Sequence, residues 1–239
     1  MRGKHSEFAT GHIADEELER VGRLIGAVRE IYHGRVVGQE TLYSALVTSL
    51  IAQGHVLLES VPGLAKTTAA TTLADAISGT FSRIQCTPDL MPGDIVGTQI
   101  YSYQSSSFST QLGPVHANVV LLDEINRSSA KTQSAMLEAM QERQTSIGGK
   151  IYPLPDPFVV LATQNPIEEE GTYVLPEAQM DRFLMKTVLY YPSPEQEVEI
   201  LTRTAEGTFG RPSGVEPIST QDVLFLQSMA DRVYVDDAV

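Results

Sequence analysis

From Leu18 onward, apolar residues recur every three or four positions, through Val21, Leu24, Ile25, Val28 and Ile31, with Asp15 ahead of them and Gly34 behind. That spacing describes one face of an α-helix and rejects the two-residue period of a strand, so a helix capped by Asp15 is expected. A second helix is expected from Gln39 to Gln53, stopped by Gly54. The pattern then changes. His55-Val56-Leu57-Leu58-Glu59 is a short apolar run, Ser60 to Ala65 reads as a turn, and Lys66-Thr67-Thr68 opens an alanine- and threonine-rich helical segment, which gives the order strand, loop, helix. Further apolar runs at Phe81–Cys86, Val119–Leu122, Phe158–Ala162 and Phe183–Tyr190 alternate with helical segments such as 129–142. Alternation of this kind predicts an α/β fold, a parallel sheet with helices on both faces.

Two intervals break the rhythm. Residues 97–115 hold Tyr101, Tyr103 and Phe108 around a serine run, and residues 143–156 hold Gly148-Gly149 between short β-prone pieces. Both are expected to be inserted β-hairpins, with ordinary surface loops as the alternative. After Pro192, Ser193-Pro194-Glu195 is a helix start, and Thr220 with Asp222 opens another amphipathic stretch carrying Val223, Leu226 and Met229. The expected organisation is a polar tail at 1–14, an α/β core at 15–192, and the start of a small helical domain at 193–239, cut off at Val239.

Composition narrows the partners. With 239 residues, 42% of them hydrophobic, the chain can bury one sizeable core. Seventeen Lys and Arg against thirty Asp and Glu leave a net charge of -13, which argues against nonspecific binding of a phosphate backbone, so no nucleic-acid partner is expected. Cys86 is the only cysteine. It allows no intrachain disulfide and no cysteine-built metal site, and a buried small hydrophobe in a reducing, cytoplasmic setting is expected. Neither a secretory leader nor an apolar stretch of roughly 18 residues is visible, so no membrane span is expected. Histidines 5, 12, 33, 55 and 116 show no ligand spacing.

The turn 60–67, Ser-Val-Pro-Gly-Leu-Ala-Lys-Thr, is the first candidate for chemistry. A phosphate-binding loop works by aiming successive backbone N–H groups and a helix N-terminus at an anion, while a lysine reaches the terminal phosphates and a hydroxyl ligates magnesium. Lys66 and Thr67 stand where those roles require. The strict pattern, G-x-x-x-x-G-K followed by Ser or Thr, is not met, because Ser60 and Ala65 occupy both glycine positions. A plain strand-turn-helix with a surface lysine is the alternative. The second candidate shifts that balance: Val119-Val120-Leu121-Leu122 runs straight into Asp123-Glu124, and the C-terminal edge of a sheet is where open α/β folds place ligand chemistry. Asp123 can bind magnesium, directly or through water, and Glu124 can take a proton from an attacking water. A third strand ends in Thr163-Gln164-Asn165-Pro166, where the uncharged amide of Asn165 suits orienting a water; an Asn-Pro turn is the alternative.

Taken in order, Gly38-Gln39-Glu40, SVPGLAKT at 60–67, VVLLDEINR at 119–127, LATQNP at 161–166 and LPEAQMDRF at 175–183 resemble the MoxR family of AAA+ ATPases over roughly residues 30 to 205. The family's loop commonly has alanine where Ala65 stands, whereas Ser60 replaces a glycine. The resemblance implies ATP and magnesium as cofactors, with Ser60, Val61, Pro62, Gly63, Leu64, Ala65, Lys66, Thr67 and Thr68 around the phosphates. It puts Thr67 and Asp123 on the metal, Val37, Gly38 and Gln39 beside the adenine, and Glu124 and Asn165 in catalysis. Arg182 matches the arginine that such rings insert into a neighbour's site, with pairing to Glu177 or Asp181 on its own segment as the alternative; Arg127 is a second candidate for a cross-subunit contact. A hexameric ring, chaperone-like remodelling or metal-cofactor insertion of protein clients, and von Willebrand A-type partners are also implied. The inserts at 97–115 and 143–156 match segments that face the central pore or the client. The family's lid arginine would lie beyond Val239. Two other readings stand beside this one: a nucleotide-gated partner-binding module with negligible hydrolysis, and a small-metabolite kinase, for which no acceptor site is evident.

Overall fold

The structure, a computed structural model, describes residues 13–61, 63–165, 173, 175–208 and 214–234. Most of the expected tail, residues 1–12, and Pro62 of the loop lie outside the described residues. The first helix, α1 (Asp15–Arg35), is capped by Ala14, not by Asp15 as expected: the Ala14 N–H donates to the Glu17 carboxylate at 3.0 Å, and Asp15 falls inside the first turn. There its charge still faces the positive end of the helix dipole. Helix α2 (Glu40–Ile51) is shorter at both ends than its apolar pattern, because Gln39 and Gln53 take left-handed backbone angles, φ 58° and 54°.

The alternating elements that follow are β1 (Val56–Glu59), α3 (Lys66–Ala76), β2 (Phe81–Gln85), the short α4 (Pro92–Val96), and a hairpin of β3 (Gly97–Ser102) and β4 (Ser107–Leu112). Then come β5 (Val119–Asp123), α5 (Ala130–Glu142), a second hairpin of β6 (Gln144–Ile147) and β7 (Lys150–Pro153), and β8 (Val159–Gln164). Helix α6 (Glu177–Met180), β9 (Met185–Val188), α7 (Pro194–Ala205) and α8 (Thr220–Ala230) complete the order. Helix α4 escaped the periodicity because five residues are too few to show one; Pro92 starts it and Asp94 accepts the Met91 N–H at 2.9 Å.

Five strands form one parallel sheet in the order β2-β5-β8-β1-β9. Two cores sit on its two faces. Leu58, Leu121 and Leu161 meet Tyr32, Leu46 and Leu73 from the first three helices, and Leu57, Val120, Leu122 and Val160 meet Ile95, Met136, Leu137 and Phe158 on the other side. Successive residues of β5 therefore go to opposite cores, which is why the strand reads as one unbroken apolar run. Full burial of each such leucine contributes about 1.5–3 kcal/mol. Helix α8 adds Val223 and Leu226 to the first core, and Gln227 donates to the Leu50 carbonyl at 2.8 Å. Helix α7 buries none of its residues, and Val198 and Leu201 on it are exposed.

Both expected inserts are hairpins. They are tied together by Thr110 Oγ1 and Tyr152 Oη at 2.8 Å. Gly97 must be glycine: its φ is +112°, and a Cβ would lie 2.4 Å from the Gln111 carbonyl oxygen. On the exposed face of the first hairpin Tyr101, Tyr103 and Phe108 form an aromatic cluster, with ring centroids 5.1 and 5.2 Å from Tyr101. Among the described residues no helix is long and apolar enough to cross a membrane.

His55, just ahead of β1, locks the sheet to α5. Its Nδ1 accepts the Val160 N–H at 3.1 Å and its Nε2 lies 3.3 Å from the Met140 carbonyl, an arrangement that needs the neutral ring. Burial pushes its pKa down to about 4. The unfolded chain binds a proton near the ordinary value of about 6.5, so the stability this site gives is complete above that pH and drains away as pH falls toward 4, by on the order of 3 kcal/mol. Urea unfolding at a series of pH values between 7.5 and 4.5 should show a steeper loss for the native chain than for His55→Gln. Parallel curves would remove His55 as the cause.

Candidate functional site

Three strands end at one hollow. The C-terminal edges of β1, β5 and β8 open onto a cavity of about 410 Å³ bordered by Ser60, Lys66, Thr67, Asp123, Glu124 and Asn165. The loop after β1 is pinned first by the Ser60 N–H, which donates to the Gln164 carbonyl at 3.1 Å. It then turns through Gly63 at φ +86° and Ala65 at φ 55°, and α3 begins at Lys66 with its N-terminus on the cavity. Holding alanine in that left-handed region costs roughly 1–2 kcal/mol, less than a larger or branched residue would. Gly63, Leu64, Ala65 and Thr68 also border the hollow, while Val61 is half-buried beside it.

The serine that departs from the glycine pattern has a local partner. Ser60 is buried, and its Oγ accepts from Lys66 Nζ at 2.7 Å, with the Val61 carbonyl a second acceptor at 3.4 Å. Burial pushes the Lys66 ammonium below its usual pKa, Asp123 and Glu124 pull it back up, and Arg83 opposes them. The ammonium is thus held in a mixed field of two carboxylates and a guanidinium.

Each carboxylate at the end of β5 has its own set of bonds. Asp123 Oδ1 accepts from Thr163 Oγ1 at 2.8 Å, and Oδ2 accepts from Arg83 Nη2 at 2.6 Å. The Glu124 N–H donates to the same Thr163 hydroxyl at 2.9 Å. Glu124 is in a left-handed conformation at φ 58°, which lifts its side chain off the strand line; Oε2 meets Arg127 Nε at 3.1 Å and Gln85 Nε2 at 3.2 Å. Arg127 therefore contacts its own chain's Glu124. Asn165 is buried one residue past β8.

Arg83, Gln85 and Thr163 also line the hollow and were not anticipated from the sequence. A signal was present: in Phe-Ser-Arg-Ile-Gln, residues 83 and 85 share one face of β2, and the register sets Arg83 beside Leu121 and Gln85 beside Asp123. Both are exposed residues of the sheet's edge strand, on the face that carries Asp123.

Two expected groups lie elsewhere. Arg182 borders a separate hollow of about 500 Å³ with Gln53, His55 and Arg143. It donates to Gln141 Oε1 at 3.0 Å and to the Ala178 carbonyl at 3.3 Å rather than to Glu177 or Asp181. Val37, Gly38 and Gln39 do not border the main cavity; Gln39 edges a third hollow of about 250 Å³ with Tyr190, Tyr191 and Gln196, and its Nε2 donates to the Tyr190 carbonyl at 3.2 Å.

Comparison with known proteins agrees with this geometry. The family described as "ATPase family associated with various cellular activities (AAA)" matches residues 55–185. Chaperone MoxR1 of Mycobacterium tuberculosis is 52% identical over 223 residues, 93% of this chain and 57% of that protein. The uncharacterized protein YeaC of Bacillus subtilis is 45% identical over 218 residues, 90% of this chain and 67% of its own length. A crystal structure of a candidate ATPase from Cytophaga hutchinsonii superposes with a TM-score of 0.83 at 44% identity, covering 94% of this chain and 67% of that one. The chain thus spans little more than half the length of the Mycobacterium protein.

Thr163 is the hinge of the site, since one hydroxyl serves both Asp123 and the Glu124 backbone. Thr163→Val keeps the shape and strands both partners, so it should lower stability by about 1–3 kcal/mol in urea unfolding. An unchanged midpoint would mean that water replaces the hydroxyl without loss.

Proposed function

Since this chain belongs to the MoxR family of AAA+ ATPases, we propose that it binds ATP in the cavity at the ends of β1, β5 and β8 and hydrolyses it to drive the remodelling or assembly of protein clients. The observation that carries this reading is the convergence of Lys66 from the start of α3, Asp123 and Glu124 from the end of β5, and Asn165 from the end of β8 on one hollow. The phosphate chain would lie on the N–H groups at the start of α3, with Lys66 turning from Ser60 to its terminal oxygens. A hydroxyl and a carboxylate, Thr67 and Asp123, suit magnesium, which takes few protein oxygens and leaves its remaining positions to phosphate and water. When bound, the ion would neutralise charge developing on the phosphates. Glu124 then accepts the proton of the attacking water, and the Asn165 amide fixes that water's orientation. The adenine falls to the third hollow, beside Val37 to Gln39.

Arg182 completes the site from a neighbouring subunit in this proposal. Its separation from its own phosphate hollow supports that role, and a closed ring, hexameric by family resemblance, would supply the neighbour. The exposed aromatic hairpin Tyr101, Tyr103 and Phe108 is the proposed client-facing surface, and metal-cofactor insertion with von Willebrand A-type partners is the proposed setting. One observation favours a second reading, a nucleotide-gated binding module: the Glu124 carboxylate is engaged by Arg127 and Gln85 rather than open to a water.

Magnesium-dependent phosphate release, followed over a range of protein concentrations, separates the two. Glu124→Gln should lower turnover by at least about 100-fold while ATP stays bound. An undiminished rate would refute the catalytic assignment, and a native chain that binds without turnover would favour the module. Arg182→Ala should also be inactive, by about 10³-fold or more. Mixing the two inactive variants should restore part of the rate, because some interfaces then join an intact Glu124 to an intact Arg182. No restoration would place Arg182 outside the shared site.

A further inference from the structure

The proposed mechanism leaves Arg83 without a task, although it is a second cation in the phosphate hollow. Its Nη2 donates to Asp123 Oδ2 at 2.6 Å and to Gln85 Oε1 at 2.9 Å, and Gln85 Nε2 donates to Glu124 Oε2 at 3.2 Å. A continuous path of hydrogen bonds therefore runs from Asp123 through Arg83 and Gln85 to Glu124. With Thr163 on Oδ1, both oxygens of Asp123 are occupied. The two partners differ in freedom: the Asp123 side chain is 12% exposed and that of Arg83 is 46% exposed. The carboxylate is fixed by the end of β5 and by Thr163, whereas the guanidinium reaches it on a flexible stem from the neighbouring strand and can withdraw toward solvent.

Burying an ionised carboxylate is costly unless it is paired and hydrogen-bonded. We propose that Arg83 is a placeholder cation, which neutralises Asp123 in the metal-free protein and is displaced when a divalent ion arrives with the nucleotide. This rests on the reading of Asp123 as the metal carboxylate. Displacement also breaks the hydrogen-bonded path at its first link, so arrival of the ion frees Gln85 Oε1 and loosens the hold on Glu124. The apparent affinity for the ion is lowered by the fraction of molecules in which Arg83 occupies the carboxylate.

The test uses Mn²⁺ as the probe, its free concentration read from the electron paramagnetic resonance signal, with the full chain in excess over a non-hydrolysable ATP analogue. Arg83→Gln should bind Mn²⁺ about ten-fold more tightly than the native chain, the factor expected if Arg83 holds Asp123 nine-tenths of the time. Arg83→Lys, which keeps the charge, should stay close to native. Asp123→Asn should lose the tight site. In the native chain, the side-chain Nε–H resonance of Arg83, assigned by its absence from Arg83→Lys, should shift when Mg²⁺ is added to the nucleotide complex. An unchanged or weaker Mn²⁺ affinity in Arg83→Gln, or a resonance that ignores Mg²⁺, overturns the placeholder role. If Asp123→Asn binds Mn²⁺ as the native chain does, the metal assignment itself fails, and the proposal fails with it.

Discussion

Burying β5 on both faces forces its charge to the end of the strand. Val119 to Leu122 are fully enclosed between two helical layers, and an ionised side chain at any of them would have neither water nor a partner. The first place a carboxylate can stand is where the strand leaves the sheet, and there Asp123 and Glu124 stand together. Asn118 sets the other end: its side chain accepts the Thr80 N–H and hydroxyl and donates to the Pro157 carbonyl, which clamps the start of β5 between the segments leading into β2 and β8. The strand cannot slide without exposing an apolar face or burying an acid. Thr163 on β8 and Gln85 on β2 take their places beside Asp123 from that register.

How much of this was legible depends on whether a residue acts through local pattern or through pairing between strands. The five apolar runs and the two hairpins announced themselves because period and turn residues are local. The positions of Lys66, Asp123, Glu124 and Asn165 were legible for a similar reason: Asp123 and Glu124 stand at the end of β5, Asn165 follows β8, and Lys66 opens the helix after the turn that leaves β1. Arg83 and Gln85 were not, because their meaning depends on β2 lying beside β5, and no local spacing states which strands are neighbours. Helix limits failed where backbone angles, not side-chain polarity, decide: Gln39 and Gln53 look like helix residues and yet turn left-handed. Ser60 read as a defect because its partner, the Lys66 ammonium, is six residues away across a turn.

The charged groups of the main hollow are engaged from within. Lys66 leans on Ser60, Arg83 on Asp123, and Arg127 on Glu124. Such pairs hold the side chains in place, but each must be broken before the corresponding group can act on a ligand. A ligand of high negative charge, accompanied by a divalent cation, brings replacement partners for all three cations and for Asp123 at once. Partial replacements do not: a monovalent anion offers nothing to Asp123, and a bare cation offers nothing to Lys66. Under the proposed function, the internal pairing works as a filter that rewards only a polyanion and its metal arriving together.

The direction of the strands bears on the proposed role of Arg182 in a neighbour's site. In a parallel sheet the C-terminal ends of all strands share one edge, and the N-terminal ends share the opposite one. Asp123 ends β5, Asn165 follows β8 and Lys66 opens the helix after β1, whereas Arg182 precedes β9, whose first contact with the sheet is the Leu184 N–H donating to the carbonyl of His55, just before β1. The four residues of β1 separate those edges by roughly 13 Å. Under the proposed shared site, Arg182 at the N-terminal edge of one copy serves a phosphate at the C-terminal edge of the next, with the back of one copy set against the mouth of the other. A contact of that kind is head-to-tail, and repeated through a constant rotation it closes into a ring when the rotation divides a full turn and runs on as a filament when it does not.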